Sequence, residues 1–105
     1  MMTGLWLFVA LVMGHALADY PLQADFLAKA KNHKAPIPGI DWWIALANHA
    51  LIHGAVVWVL TQSPWLGLAE TLIHFAIDWL KCDGRTSFRT DQGLHIVCKI
   101  AWALA

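Results

Sequence analysis

Residues 41–62 read DWWIALANHALIHGAVVWVLTQ, and the only Asp, Glu, Lys or Arg in that stretch is Asp41 at its start. At ~1.5 Å per residue a helix of this length runs about 33 Å, enough to cross the ~30 Å hydrocarbon core of a bilayer. His49 and His53 interrupt the apolar run four residues apart, which puts both imidazoles on one face. The stretch therefore predicts a spanning helix with a single polar stripe. Three further segments match it on either side: TGLWLFVALVMGHALADY at 3–20, PWLGLAETLIHFAIDWLKC at 64–82 and TDQGLHIVCKIAWALA at 90–105. Ser63 suits an N-cap with Pro64 in the first turn, and Thr90 or Asp91 opens the last segment. That last segment is about 24 Å long, short for a full crossing.

Composition agrees. Of 105 residues, 59% are apolar and 13% charged, seven basic residues balance seven acidic ones, and mean hydropathy is +0.55. Soluble domains sit near ~45–50% apolar and ~25% charged, so surface arithmetic argues against a water-soluble monomer. Zero net charge leaves no footprint for nucleic acid, and two cysteines do not make a disulfide scaffold. The expected fold is all-α: a single integral membrane domain over 1–105, a four-helix polytopic membrane bundle.

Six of the seven Lys and Arg residues fall in two loops, Lys29, Lys31 and Lys34 in one and Lys81, Arg85 and Arg89 in the other. The positive-inside rule places both loops in the cytoplasm and both termini outside, in the cytoplasmic (inner) membrane. Trp42, Trp43 and Trp79 then fall at the inner interface, and Trp6, Trp58, Trp65 and Trp102 toward the outer one. Ala16-Leu17-Ala18 also resembles a signal-cleavage site, but no Lys or Arg precedes it, which argues for a retained span. After the first span, PLQADFLAKAK from Pro21 reads as a short interfacial amphipathic helix with an Asp25–Lys29 pair. Cys82 and Cys98 are expected to be reduced thiols.

Every span carries ionisable residues spaced by four: His15 and Asp19; His49 and His53; Glu70, His74 and Asp78; Asp91, His95 and Lys99. Counted from the cytoplasmic end, His15, His49, His74 and His95 lie roughly 7–12 Å deep. A bundle that buries its stripes brings these groups to one level. His15-Ala-Leu-Ala-Asp19-Tyr20 also matches His74-Phe-Ala-Ile-Asp78-Trp79, as a two-fold internal repeat would produce.

Imidazole with carboxylate suits a divalent zinc, iron or manganese ion, and facing helices in bundles hold such ions. The candidate ligands are His15, His49, His53, His74 and Asp78, with Asp19, Asp91 and His95 as catalytic groups or ligands of a second ion. Simpler readings stand beside these. Polar residues in spans serve as interhelical hydrogen-bond glue, Asp19 can cap the helix after Pro21, and Glu70 with Lys99 can be a plain ion pair. Asn48 and Gln92 suit outer positions around ligands, while His33 and Asp83 read as solvated loop residues.

The runs HALADYPLQADFLAKAK, NHALIHGAVVW, LIHFAIDWLK and DQGLHIVCK resemble the prokaryotic and phage membrane proteins of domain-of-unknown-function family 3307. The resemblance covers almost the whole chain and implies a membrane location without an activity. His49 and His53, then His74 and Asp78 followed by Gly84, are similar to a pattern in bacterial membrane-bound metal-dependent hydrolases, although the Pro-Asp segment of those enzymes has no equivalent. Three functions follow as expectations. One is metal-dependent hydrolysis of a lipid or phosphoester at the cytoplasmic interface. Another is a non-catalytic, phage-type membrane protein that oligomerises or binds a membrane partner to alter the host envelope. The last is a proton or metal-ion conduit. Membrane lipids are the expected surroundings in each.

Overall fold

The computed structural model describes residues 3–105, which form five helices and, among the described residues, no strand. They are α1 (Gly4–Asp19), α2 (Ala24–Ala30), α3 (Trp42–Thr61), α4 (Pro64–Cys82) and α5 (Phe88–Leu104). The four long helices make a ring in which α1 touches α3 and α5, and α4 touches the same two. Gly4 lies beside Ala103 while His15 reaches Gln92, so α1 and α5 run antiparallel. The body is elongated along the helices, 45 × 23 × 22 Å.

Local chemistry sets the helix ends. Gln62 adopts a left-handed conformation (φ 61°) that stops α3, and Ser63 Oγ accepts from the Leu66 amide to start α4. The expected Ser63–Pro64 start is thus in place, and a two-residue turn folds α3 and α4 into a hairpin. At the other end of α4, Gly84 (φ +81°) lets the Arg85 and Gly84 amides donate to the carbonyls of Leu80 and Lys81, a left-handed glycine stop. The last helix starts earlier than the Thr90 or Asp91 the sequence suggested. Ser87 Oγ accepts from the Thr90 amide, so the cap is Ser87, Thr90 is helical, and Asp91 falls in the first turn. The short helix after Pro21 is present as α2, bent 83° from α1, with Asp25 and Lys29 paired at 2.9 Å.

Among the described residues one helix, Trp42–Thr61, is long and apolar enough by itself to cross a membrane. Helices α1 and α5, at 16 and 17 residues, fall short in length. Helix α4 has the length but carries Glu70, Asp78 and Lys81. The packing is inverted relative to a soluble domain. Among the described residues eight apolar side chains are buried, four of them alanine, against eleven polar or charged ones. Leu5, Trp6, Met13, Leu72, Val97 and Leu104 stand more than 60% exposed.

Candidate metal centre

Each long helix delivers its polar stripe to the ring's interior, because residues four apart stack along one face. His15, Asp19, His49, His53, Glu70, His74, Asp78, Asp91, His95 and Lys99 are all buried. The depth matching read from the sequence therefore corresponds to one cluster.

Its tightest part spans three helices. Donor atoms of Asp19, His49, His53 and His74 all lie within 4.8 Å of one another. His49 Nε2 is 3.2 Å from Asp19 Oδ1 and 3.3 Å from His74 Nε2, and His53 Nε2 is 3.3 Å from Asp19 Oδ1. For a tetrahedral ion with bonds of ~2.0–2.1 Å, neighbouring ligand atoms are separated by about 3.3 Å. Three of the six edges of such a tetrahedron thus have the right length. His53 Nε2 is fully buried and, although Asp19 Oδ1 lies 3.3 Å away, makes no well-aligned hydrogen bond, an arrangement that an ion between the two would satisfy.

The tautomer of His74 follows from its surroundings. Nδ1 lies 2.9 Å from Glu70 Oε2, and Glu70 Oε1 accepts from Lys99 Nζ at 2.5 Å and from Trp102 Nε1 at 2.9 Å. A carboxylate so engaged can only accept from the imidazole, so Nδ1 carries the proton and the Nε2 lone pair faces inward. Carboxylate–histidine pairs orient metal ligands in this way. Glu70 and Lys99, expected as an ion pair, are one, and they also orient His74.

The remaining groups line the opposite wall. His95 Nε2 is 3.4 Å from Asp91 Oδ1 and 3.7 Å from Asp78 Oδ1. Asp78 Oδ2 lies 3.3 Å from His49 Nε2, so this carboxylate stands between the two walls. Asp19, grouped by sequence with the catalytic residues, faces His49, His53 and His74, while Asp78, grouped with the candidate ligands, sits with Asp91 and His95. His15 is held aside: its Nε2 donates to Gln92 Oε1 at 3.1 Å. Gln92 Nε2 in turn donates to Asp19 and Asp91, both at 3.1 Å. That is the outer position the sequence suggested for it. Asn48 does not share this role; its amide donates to the Ile44 carbonyl. Nor does the Asp19 carboxylate cap α2, since Gln23 bonds the Asp19 backbone carbonyl instead.

The residue that sequence reasoning misplaced is Lys31. It reads as one of three solvated lysines that set topology, yet it is 3% exposed and its Nζ lies 2.7 Å from Asp78 Oδ2. The signal lay in Asp78, a carboxylate among apolar neighbours that required a cation. His33 and Asp83 are not freely solvated either. The His33 ring stacks flat on Trp79 at 4.6 Å, and its Nε2 donates to Asp83 Oδ1 at 2.9 Å. Arg85 and His33 together hold the Asp83 carboxyl below its ordinary pKa.

Fold and cluster together define an all-helical protein built around a buried imidazole–carboxylate centre. The chain belongs to the family described as protein of unknown function DUF3307, whose model matches residues 7–105. Neither the curated proteins nor the solved structures yield a match.

Proposed function

We propose that this is a four-span protein of the cytoplasmic membrane, both termini outside, that holds a divalent metal ion on Asp19, His49, His53 and His74 and uses it to hydrolyse a lipid or phosphoester at the inner interface. The observation that carries the reading is the set of near-tetrahedral donor separations around a buried, unpartnered His53 nitrogen. Charge supports it. Asp19, Glu70, Asp78 and Asp91 bury four carboxylates, and Lys31 and Lys99 are the buried lysines beside them. One divalent cation closes that balance, and an unbalanced pair of charges in this setting costs several kcal/mol.

The membrane placement rests on the inverted packing and the charge map. Lipid is the solvent in which exposed Leu and Trp need no cover and buried polar groups must find partners within the bundle. Helices α1 and α5, about 24–26 Å long, suit a bilayer thinned locally around the bundle. Helix α2, turned 83° from α1 with Leu22 and Phe26 exposed, suits the plane of the inner interface.

With Asp19, His49, His53 and His74 holding the ion, water or ester would have to enter as a fifth ligand, and there the ion would supply polarisation of the ester and a bound-water pKa lowered toward ~7. Glu70 fixes the orientation of His74, and Gln92 fixes that of Asp19. Lys81, Arg85 and Arg89 sit at the same end of the bundle and supply cations for an anionic headgroup.

The test is elemental analysis of full-length protein purified in detergent without chelators, alongside the His49→Ala and His53→Ala variants. Stoichiometric zinc, iron or manganese is expected in the native chain, with loss in both variants. Sub-stoichiometric metal in the native chain defeats the reading. Metal-dependent release of product from anionic phospholipid vesicles, lost in His53→Ala, tests the hydrolytic part.

A further inference from the structure

The wall opposite the tetrahedral set has its own geometry. Asp78 and Asp91 each commit one oxygen elsewhere: Asp78 Oδ2 accepts from Lys31, while Asp91 Oδ2 accepts from Gln92 and lies 3.8 Å from Lys81. Each turns its other oxygen, Oδ1, toward His95 Nε2, at 3.7 and 3.4 Å. Asp91 Oδ1 and His95 Nε2 are fully buried and make no hydrogen bond. Two carboxylate oxygens and an imidazole nitrogen therefore converge on one small volume without bonding one another.

The internal repeat gives this arrangement a second, independent basis. In the ring, α1 lies across from α4 and α3 across from α5. The repeat equates His15 and Asp19 of α1 with His74 and Asp78 of α4. Pairing α3 with α5 in the same way sets His49 and His53 against Asp91 and His95. Exchanging the helices across both diagonals turns the set Asp19, His49, His53 and His74 into Asp78, Asp91, His95 and His15. Three of those four are the residues that converge on the second volume, and the fourth, His15, is drawn away by Gln92.

We infer that Asp78, Asp91 and His95 form a second, weaker divalent-cation site beside the first. The inference rests on the first site being a metal site. Only three protein donors face the second volume, which leaves coordination positions open, as in catalytic rather than structural sites. Asp78 stands between the two sites: its Oδ1 faces His95, while its Oδ2, held by Lys31, lies 3.3 Å from His49. Two ions held by these residues would supply the charge stabilisation that a displacement at phosphorus needs. A second dication also turns the buried charge positive, so the pair of ions takes an anionic phosphate ester in preference to a neutral carboxylic ester.

The test counts ions. Full-length protein in detergent is stripped with chelator, dialysed against graded Zn(II) or Mn(II), and analysed for metal per chain, with helix content followed by far-ultraviolet circular dichroism. Two ions per chain are expected for the native protein, one bound at least tenfold more weakly. Asp91→Asn and His95→Ala should each retain one ion, which also certifies their folding, and His53→Ala should lose the tighter one. A single ion per chain, unaffected by Asp91→Asn, overturns the second site and leaves the first standing. Loss of both ions from a fully helical Asp91→Asn variant overturns it too, because the two sets are then one. No bound metal in the native protein overturns the first site and this one with it.

Discussion

Beside the Gln62–Ser63 turn, α3 and α4 touch through their backbones, whereas about two turns further from it buried polar side chains of the same two helices face one another. At the first place Gly54 faces Gly67, and a Cβ added to Gly67 would lie 2.7 Å from the Trp58 Cβ and 2.8 Å from the Gly54 carbonyl oxygen. At the second, His49 faces His74 at 3.3 Å and Asp78 at 3.3 Å. Small residues let helices associate by van der Waals contact where no hydrophobic drive exists. Polar ones hold them only if every charge and lone pair is answered. One hairpin thus uses packing beside its turn and charge balance further along, and the two places should fail differently.

The largest effect is expected at Lys99. Lys99→Met leaves the Glu70 carboxylate buried with Trp102 and His74 as its remaining donors, and removing one partner of a buried pair costs about 3–5 kcal/mol. The double variant Glu70→Gln/Lys99→Met removes the charge as well and should recover most of that stability in denaturant unfolding in detergent. It should still bind metal about 10–100-fold more weakly, because the anion that orients His74 is gone. Equal metal affinity in the native and double-variant proteins would refute the orienting role of Glu70.

The turn end should respond to volume and not to metal. Gly67→Val forces α3 and α4 apart against Trp58 and Gly54, an overpacking cost of about 1–3 kcal/mol. Metal per chain should stay at the native value, measured on protein that remains helical. Metal lost in step with stability would mean that the two ends are coupled and that the contrast between them fails.

Much of this arrangement is written locally, and that part was legible. The spacing of four, the Ser63–Pro64 start and the depth of each histidine follow from helix geometry alone, so the helices and the convergence of their stripes could be read without coordinates. Lys31 could not. It sits at the end of a seven-residue helix whose 83° turn from α1 aims it at Asp78, and that angle is set at a break where Ala24 is left-handed (φ 57°), which residue spacing does not encode. By sequence it was one of three basic residues in a polar loop. The division of Asp19 and Asp78 between the two walls was hidden for the same reason: periodicity fixes which face a residue occupies, while the rotation of each helix in the ring decides which neighbours it meets. His33 was read as solvated because its partners, Trp79 and Asp83, lie more than 45 residues away.

The smallest effect is expected where that loop is fastened. His33 lies two residues beyond Lys31, and its stacking on Trp79 and bond to Asp83 tie the segment after α2 to the end of α4. Arg85 and His33 depress the Asp83 pKa. A carboxyl depressed in the folded state contributes stability that is complete above its unfolded value, ~3.9, and is lost as pH falls from there toward the folded one. Asp83→Asn should therefore lower the melting midpoint in detergent slightly at pH 7, by no more than an exposed ion pair contributes. The gap between native and variant should close as pH drops below about 4. Because Lys31 reaches Asp78 from the same segment, a loosened fastening should show first as faster exchange of the backbone amides around Lys31, with the number of bound ions unchanged. A midpoint difference that stays constant from neutral to acid pH would remove Asp83 from the account and leave the His33–Trp79 stack as what fastens the loop.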